Sequence, residues 1–216
     1  MTYDFSITGV LKEGFRLSNG VKLTFIGSII IYAIITFFVK SLLNFIFPNI
    51  ESIISIYASS TMEMIFTLPI LVGIMILGLK RARDDELTIP SIFDFFAMVT
   101  PIVLAYILMT LLLTLGFVLL VIPGIYLAVS YAFTYMLIVD KGLNVWEAME
   151  LSRKTVTKQW FKFFGLSILS GLFIIISAIP LGIGLVWSIP TTYIAYGLLY
   201  HHLFDEEEET QELLND

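Results

Sequence analysis

The sequence predicts an all-α, polytopic integral membrane protein, with six transmembrane helices in three hairpins and amphipathic helices on the cytoplasmic interface. Three observations predict it. Hydrophobic residues make up 58% of the 216 and charged residues 14%, more apolar surface than a soluble core of this size can hide. The apolar residues gather in long runs, and about 20 residues at a rise of ~1.5 Å cross a hydrocarbon layer of ~30 Å. Finally, 11 of the 12 Lys and Arg residues fall in segments that six alternating spans place on one side.

The first span covers residues 21–47 and stops at Pro48-Asn49; the second, 62–79, stops at Lys80-Arg81-Ala82-Arg83. The third covers 100–122, opening on Thr100 as a cap with Pro101 at the first helical position. Pro123-Gly124 makes the turn into a short fourth span, 123–139, ended by Asp140-Lys141-Gly142. The fifth covers 160–179, Pro180-Leu181-Gly182 turns the chain, and the sixth covers 184–204. Lipid offers no hydrogen-bond partners, so runs of this length are helices that satisfy their own backbones. Residues 1–204 form one membrane domain, and 205–216 an acidic, disordered tail that carries much of the net charge of −6.

Lys12, Arg16 and Lys22 precede the first span; Lys80, Arg81 and Arg83 follow the second; Lys141, Arg153, Lys154, Lys158 and Lys162 surround the fourth-to-fifth connection. Only Lys40 lies toward the other side. The positive-inside rule therefore puts both termini in the cytoplasm of a multi-pass cell-membrane protein. The first apolar run is too long for a signal peptide and lacks a small-residue cleavage site, so it stays in the mature protein.

A cytoplasmic stretch precedes each hairpin. The clearest is 144–159, where Asn144 and Glu147 have capping-box spacing and Arg153, Lys154 and Lys158 follow toward the C-terminal end. Trp146, Met149, Val156 and Trp160 form its apolar stripe, with Ser152 alongside, so it is expected to lie on the membrane and meet anionic headgroups. Residues 91–96 and 7–17 are weaker counterparts. Phe25 and Gly27 match Phe163 and Gly165 in spacing, the trace of an internal repeat.

The absence of cysteine excludes disulfides, thiolate metal sites and cysteine nucleophiles. His201 and His202 are adjacent, so on a helix they diverge and do not share a metal ion. No His-Glu-x-x-His, phosphate loop or paired intramembrane carboxylates occur, and neither catalysis, a cofactor nor nucleic-acid binding is expected. Lys40 and Glu63 at the outer ends of spans one and two either snorkel or pair, while Asp140 and Lys141 read as solvated. Small residues read as close-packing rows: Gly124, Ala128 and Ala132; Ser167 and Gly171; Gly184, Ser188 and Ala195. Pro69 and Pro190 should kink their helices. Tyr131, Tyr135, Tyr193, Tyr196 and Tyr200 either bond across the bundle or line a polar cavity.

Pro123-Gly124-Ile125-Tyr126-Leu127, then Asp140, Trp146-Glu147-Ala148, Ser152, Arg153 and Gly165 resemble a signature of prokaryotic membrane proteins related to the membrane domain attached to some glycerophosphodiester phosphodiesterases. Gly182-Ile183-Gly184 through Pro190 to Leu199-Tyr200 is similar to the end of those proteins. The resemblance implies a six-helix fold with an interfacial helix and no catalysis, because the fused phosphodiesterase site belongs to a separate domain that is not in this sequence. The expected role is non-enzymatic, accessory or associated with envelope lipid. Its partners are then the bilayer, anionic headgroups and a second membrane protein. The alternative is a small transporter.

Overall fold

The computed structural model describes residues 4–46 and 53–205, and every regular element among them is helical. In chain order these are α1 (Ile7–Leu17), α2 (Lys22–Ile46), α3 (Ile53–Ala82), a 3₁₀ helix (Ile89–Met98), α4 (Val99–Leu119), α5 (Val121–Ser130), α6 (Thr134–Lys141), α7 (Val145–Thr157), α8 (Trp160–Ala178), α9 (Leu185–Tyr200) and a π turn (His201–Asp205). Five stretches are long and apolar enough to cross a membrane: Lys22–Ile46, Ser59–Ala82, Ile89–Leu119, Val121–Lys141 and Trp160–Ala178. The end of the first expected span, with Pro48-Asn49, and the tail beyond Asp205 lie outside the described residues.

Several boundaries differ from expectation. The expected sixth span is a 16-residue helix, shorter than the other five stretches, closed by the π turn. The turn between the third and fourth spans is not Pro123-Gly124. Leu120 alone is extended (φ −161°, ψ 142°), and Pro123 sits in the first turn of α5, where a missing N–H costs nothing. Thr100 is not a cap: α4 starts at Val99 directly from the 3₁₀ helix. The fourth span is not one helix but two, α5 and α6, interrupted at 131–133. Where local chemistry was explicit, expectation and structure agree. Asn144 Oδ1 accepts the Glu147 N–H at 2.9 Å, Lys40 pairs with Glu63 at 3.3 Å, and Leu181 (φ 53°) and Gly182 (φ 77°) turn the chain before α9.

The chain is built as three units in which a short helix leads a helix pair: α1 with α2/α3, the 3₁₀ helix with α4/α5–α6, and α7 with α8/α9. Each leading helix packs chiefly on the pair of another unit. The 3₁₀ helix lies on α2 and α3, α7 on α4 and α5–α6, and α1 on α8 and α9, so the three units close a ring. The expected repeat appears in this packing. A Cβ at Gly27 would meet the Ile89 side chain at 2.7 Å, and one at Gly165 would meet Ile7 at 2.9 Å, so the matched glycines receive equivalent residues of two leading helices.

Within each pair the first helix (α2, α4, α8) is outer and the second (α3, α5–α6, α9) more buried. The outer helices expose Phe37, Phe38, Phe45, Leu111, Ile175 and Ile176, an apolar girdle far larger than the few-hundred-Å² patches soluble proteins tolerate. Hydrocarbon around such a girdle gives no hydrophobic drive for association, so small residues must let backbones meet. The closest crossing is α3 on α9, where a Cβ at Gly78 would fall 2.2 Å from the Tyr193 carbonyl oxygen and one at Gly197 2.4 Å from the Gly78 oxygen. The three inner helices each carry a local irregularity in sequence or backbone: Pro69 inside the continuous α3, the break at 131–133, and Pro190 inside the continuous α9. A leading helix presses close to each of these places: Ile92 against Gly73, Ser152 against the break, and Gly14 against Thr191 and Ala195.

Candidate functional site

The break between α5 and α6 is completed by a side chain from another unit. The buried Ser152 hydroxyl donates to the Ser130 carbonyl at 2.8 Å and accepts the Phe133 N–H at 3.2 Å, pairing two backbone groups the interruption would leave bare. Ser152→Ala should therefore cost about 1–3 kcal/mol, the desolvation of those groups, read as a lowered thermal midpoint in detergent with Ser152→Thr partly sparing it. This contact fixes which face of α7 turns toward the protein. Its Val145, Ala148, Met149, Ser152 and Val156 face is buried in the protein, while Trp146, 63% exposed, lies off that face. Arg153 bonds Glu150 at 2.8 Å and reaches the Tyr126 hydroxyl, Lys154 pairs with Glu150 at 3.3 Å, and Trp160 donates to the Tyr126 carbonyl at 3.2 Å. Lys158 is exposed.

At one end of the ring the three inner helices bring together a charged cluster that no local pattern announces. Arg83, just past α3, forks both carboxylates: 2.6 and 2.8 Å to Asp140 at the end of α6, and 2.8 and 2.8 Å to Asp205 in the π turn after α9. Tyr200 donates to Asp140 at 2.8 Å, Lys141 reaches Asp205 at 3.0 Å, and His201 Nδ1 lies 2.7 Å from Asp205. Asp140 and Lys141 are therefore not solvated boundary residues, and Asp205 is not part of a free tail. Each lies within a network tying all three units, with the Asp140 and Asp205 side chains only 17% and 12% exposed. Burial alone would raise the Asp205 pKa, but hydrogen bonds from His201, Lys141 and Arg83 outweigh it and hold the carboxyl below its usual range. A depressed carboxylate stabilises the fold fully above the ordinary value of about 4 and loses that contribution as pH falls through the lowered one. The wild-type thermal midpoint should fall as pH drops through and below that range, while Asp205→Asn starts lower and stays flatter there.

Behind the cluster lies a cavity of about 650 Å³, inside the ~300–1,000 Å³ range of small-molecule sites. Its wall comes from α2 (Ile29, Tyr32), α3 (Leu71, Ile74, Met75), the fourth span (Ala128, Val129, Ala132, Met136), α8 (Ser167, Ile174) and α9 (Ile189, Thr192, Tyr193, Tyr196). No Asp, Glu, Lys, Arg or His lines it among the described residues. Ala128, Ala132 and Ser167, expected to pack helix on helix, also wall this space, where their small side chains leave room, and Ser167 reaches Tyr196 of α9. Gly171 packs on nothing within 4 Å, whereas Gly124 sits against the Phe117 ring and Gly184 against the Ser177 backbone as expected of packing residues. Ser188 is buried with its hydroxyl unpaired among the described residues. The tyrosines divide. Tyr200 bonds Asp140, Tyr196 bonds Ser167 at 2.9 Å and lines the cavity with Tyr193, and Tyr131 and Tyr135 pack on the core away from it.

Comparison with protein-family models, with curated proteins and with solved structures yields no match.

Proposed function

We propose that this chain is a six-span integral protein of the cell membrane, with both ends cytoplasmic, that holds an apolar ligand drawn from the bilayer and turns over no substrate. The cavity carries this reading: about 650 Å³ of partly open space between the helices is walled almost wholly by hydrocarbon, with no acid or base in its lining among the described residues. The arrangement offers a binding surface for a lipid chain and no group poised to transfer a proton or attack a bond. Eleven basic residues on the side of the Arg83 cluster support a cytoplasmic placement of that end and of the leading helices. On the same reading, residues 184–204 are the sixth crossing, with Asp205 just outside it, and the helix pairs are membrane hairpins. The expected membership beside the phosphodiesterase membrane domains belongs to this proposal, with envelope-lipid or accessory work as the role.

Delipidated protein in detergent should bind a fluorescent alkyl probe saturably at one site per chain. Ala132→Trp, which fills the cavity, should abolish that binding. Absence of a saturable site would remove the proposal. A small transporter is the second reading, favoured by the break in the fourth span and by the prolines inside α3 and α9. It requires proteoliposomes holding only this protein to move a solute or lipid faster than empty ones, with Tyr196→Phe altering the rate.

A further inference from the structure

Resting on the apolar-ligand reading, we propose that the cavity's occupant is an uncharged lipid, a hydrocarbon chain ending in a hydroxyl, ester or carbonyl group, admitted sideways from the bilayer past α2. Three independent features of the site point there.

The first is the polar inventory of the wall. Tyr196 is already paired with Ser167, but Thr192 Oγ1 is buried without a partner among the described residues, and Tyr32 and Tyr193 also line the wall. A buried hydroxyl left bare is costly, and Thr192 stands with Tyr32 and Tyr193 on two facing helices inside an otherwise hydrocarbon wall. They donate to and accept from a neutral oxygen. They do not neutralise an ion.

The second feature is the absence of a countercharge. A phosphate, carboxylate or ammonium headgroup drawn into the cavity would shed water with no opposite charge on the wall to replace it. The nearest charged cluster is internally satisfied, because Arg83 spends its donors on Asp140 and Asp205, and Lys141 also reaches Asp205. Charged lipids are therefore selected against.

The third is the entry. Helix α2 packs on α3, the 3₁₀ helix and α9, but has no comparable packing against α5 or α8, which form the facing wall of the cavity. The seam between them opens on the apolar girdle, where lipid chains lie. Thr36, one turn along α2 from Tyr32, carries another buried hydroxyl without a partner among the described residues.

The test uses the full chain, delipidated in detergent, and four probes of matched length: monoolein, oleyl sulfate, oleyl trimethylammonium and octadecene, each displacing the fluorescent alkyl probe. Monoolein should bind at least about tenfold more tightly than either ion, the order of an uncompensated headgroup transfer. Thr192→Val, which keeps the side-chain shape, should weaken monoolein about 3- to 10-fold, one lost hydrogen bond, and leave octadecene unchanged. Equal affinity for the ionic probes, or no effect of Thr192→Val on monoolein, would overturn the neutral-lipid assignment while leaving an apolar site in place. Failure of all four probes to displace would overturn the underlying reading as well.

Discussion

Arg83→Met is expected to lower the stability of the folded protein in detergent by about 3–5 kcal/mol, the loss found when one partner of a buried ion pair is removed. The cause is not the missing attraction alone. Asp140 and Asp205, little exposed, would be left facing each other with Lys141 as the remaining cation near Asp205 and only the Tyr200 hydroxyl on Asp140. Arg83→Lys should recover only part of the loss, since a single ammonium does not form two parallel forks as the planar guanidinium does here. Adding Asp140→Asn to Arg83→Met should cost less than the sum of the two changes, because the double variant again balances one cation against one carboxylate. Thermal unfolding followed by tryptophan fluorescence measures all four proteins. Strict additivity would show that the cluster is a set of independent surface pairs.

Gly78→Leu is expected to abolish the folded bundle. Even the first carbon added at Gly78 falls 2.2 Å from the Tyr193 carbonyl oxygen, and that obstacle is backbone, not the yielding end of a side chain. Gly197 presents the same problem from the other helix, at 2.4 Å from the Gly78 oxygen. Gly78→Ala alone should cost at least about 3 kcal/mol, beyond the usual range for overpacking, because two helices must separate along their crossing. Lipid gives them no hydrophobic reason to stay together once they do. Gly171→Ala, with open space around it, should stay within about 0.5 kcal/mol of wild type. The contrast is read as the fraction of monodisperse protein recovered from membranes together with its thermal midpoint.

Helical membrane architecture was legible because it depends on composition and run length, properties of single segments. The Asn144 cap and the Lys40–Glu63 pair were legible for a similar reason: each follows from residue type and position on one or two elements. What was not legible arises between distant segments. Arg83 stands 57 residues from Asp140 and 122 from Asp205, and in sequence each belongs to a charged run that reads as a solvated boundary. The same ambiguity hides the cavity, since Ala128, Ala132 and Ser167 form as good a packing row as a cavity wall. Gly78 and Gly197 were passed over because single glycines in apolar helices carry no periodic signature; Gly73 and Gly78 on one helix were the available hint. For α7, Met149 and Val156 of the expected stripe do lie on the buried face, but Trp146 is off it, and the small Ala148 and Ser152 that complete that face carry little hydropathy signal.

The closed ring of three units, each leading helix seated on another unit's pair, is tested most directly by short bismaleimide cross-linking in native membranes. The chain has no cysteine of its own, so introduced pairs report without background. Ile7→Cys with Gly165→Cys joins units one and three, and Gly27→Cys with Ile89→Cys joins units one and two. Both pairs should yield linked peptides from monomeric protein. Linkage at neither pair, or linkage only between separate chains, would contradict the ring and with it the cavity between the units.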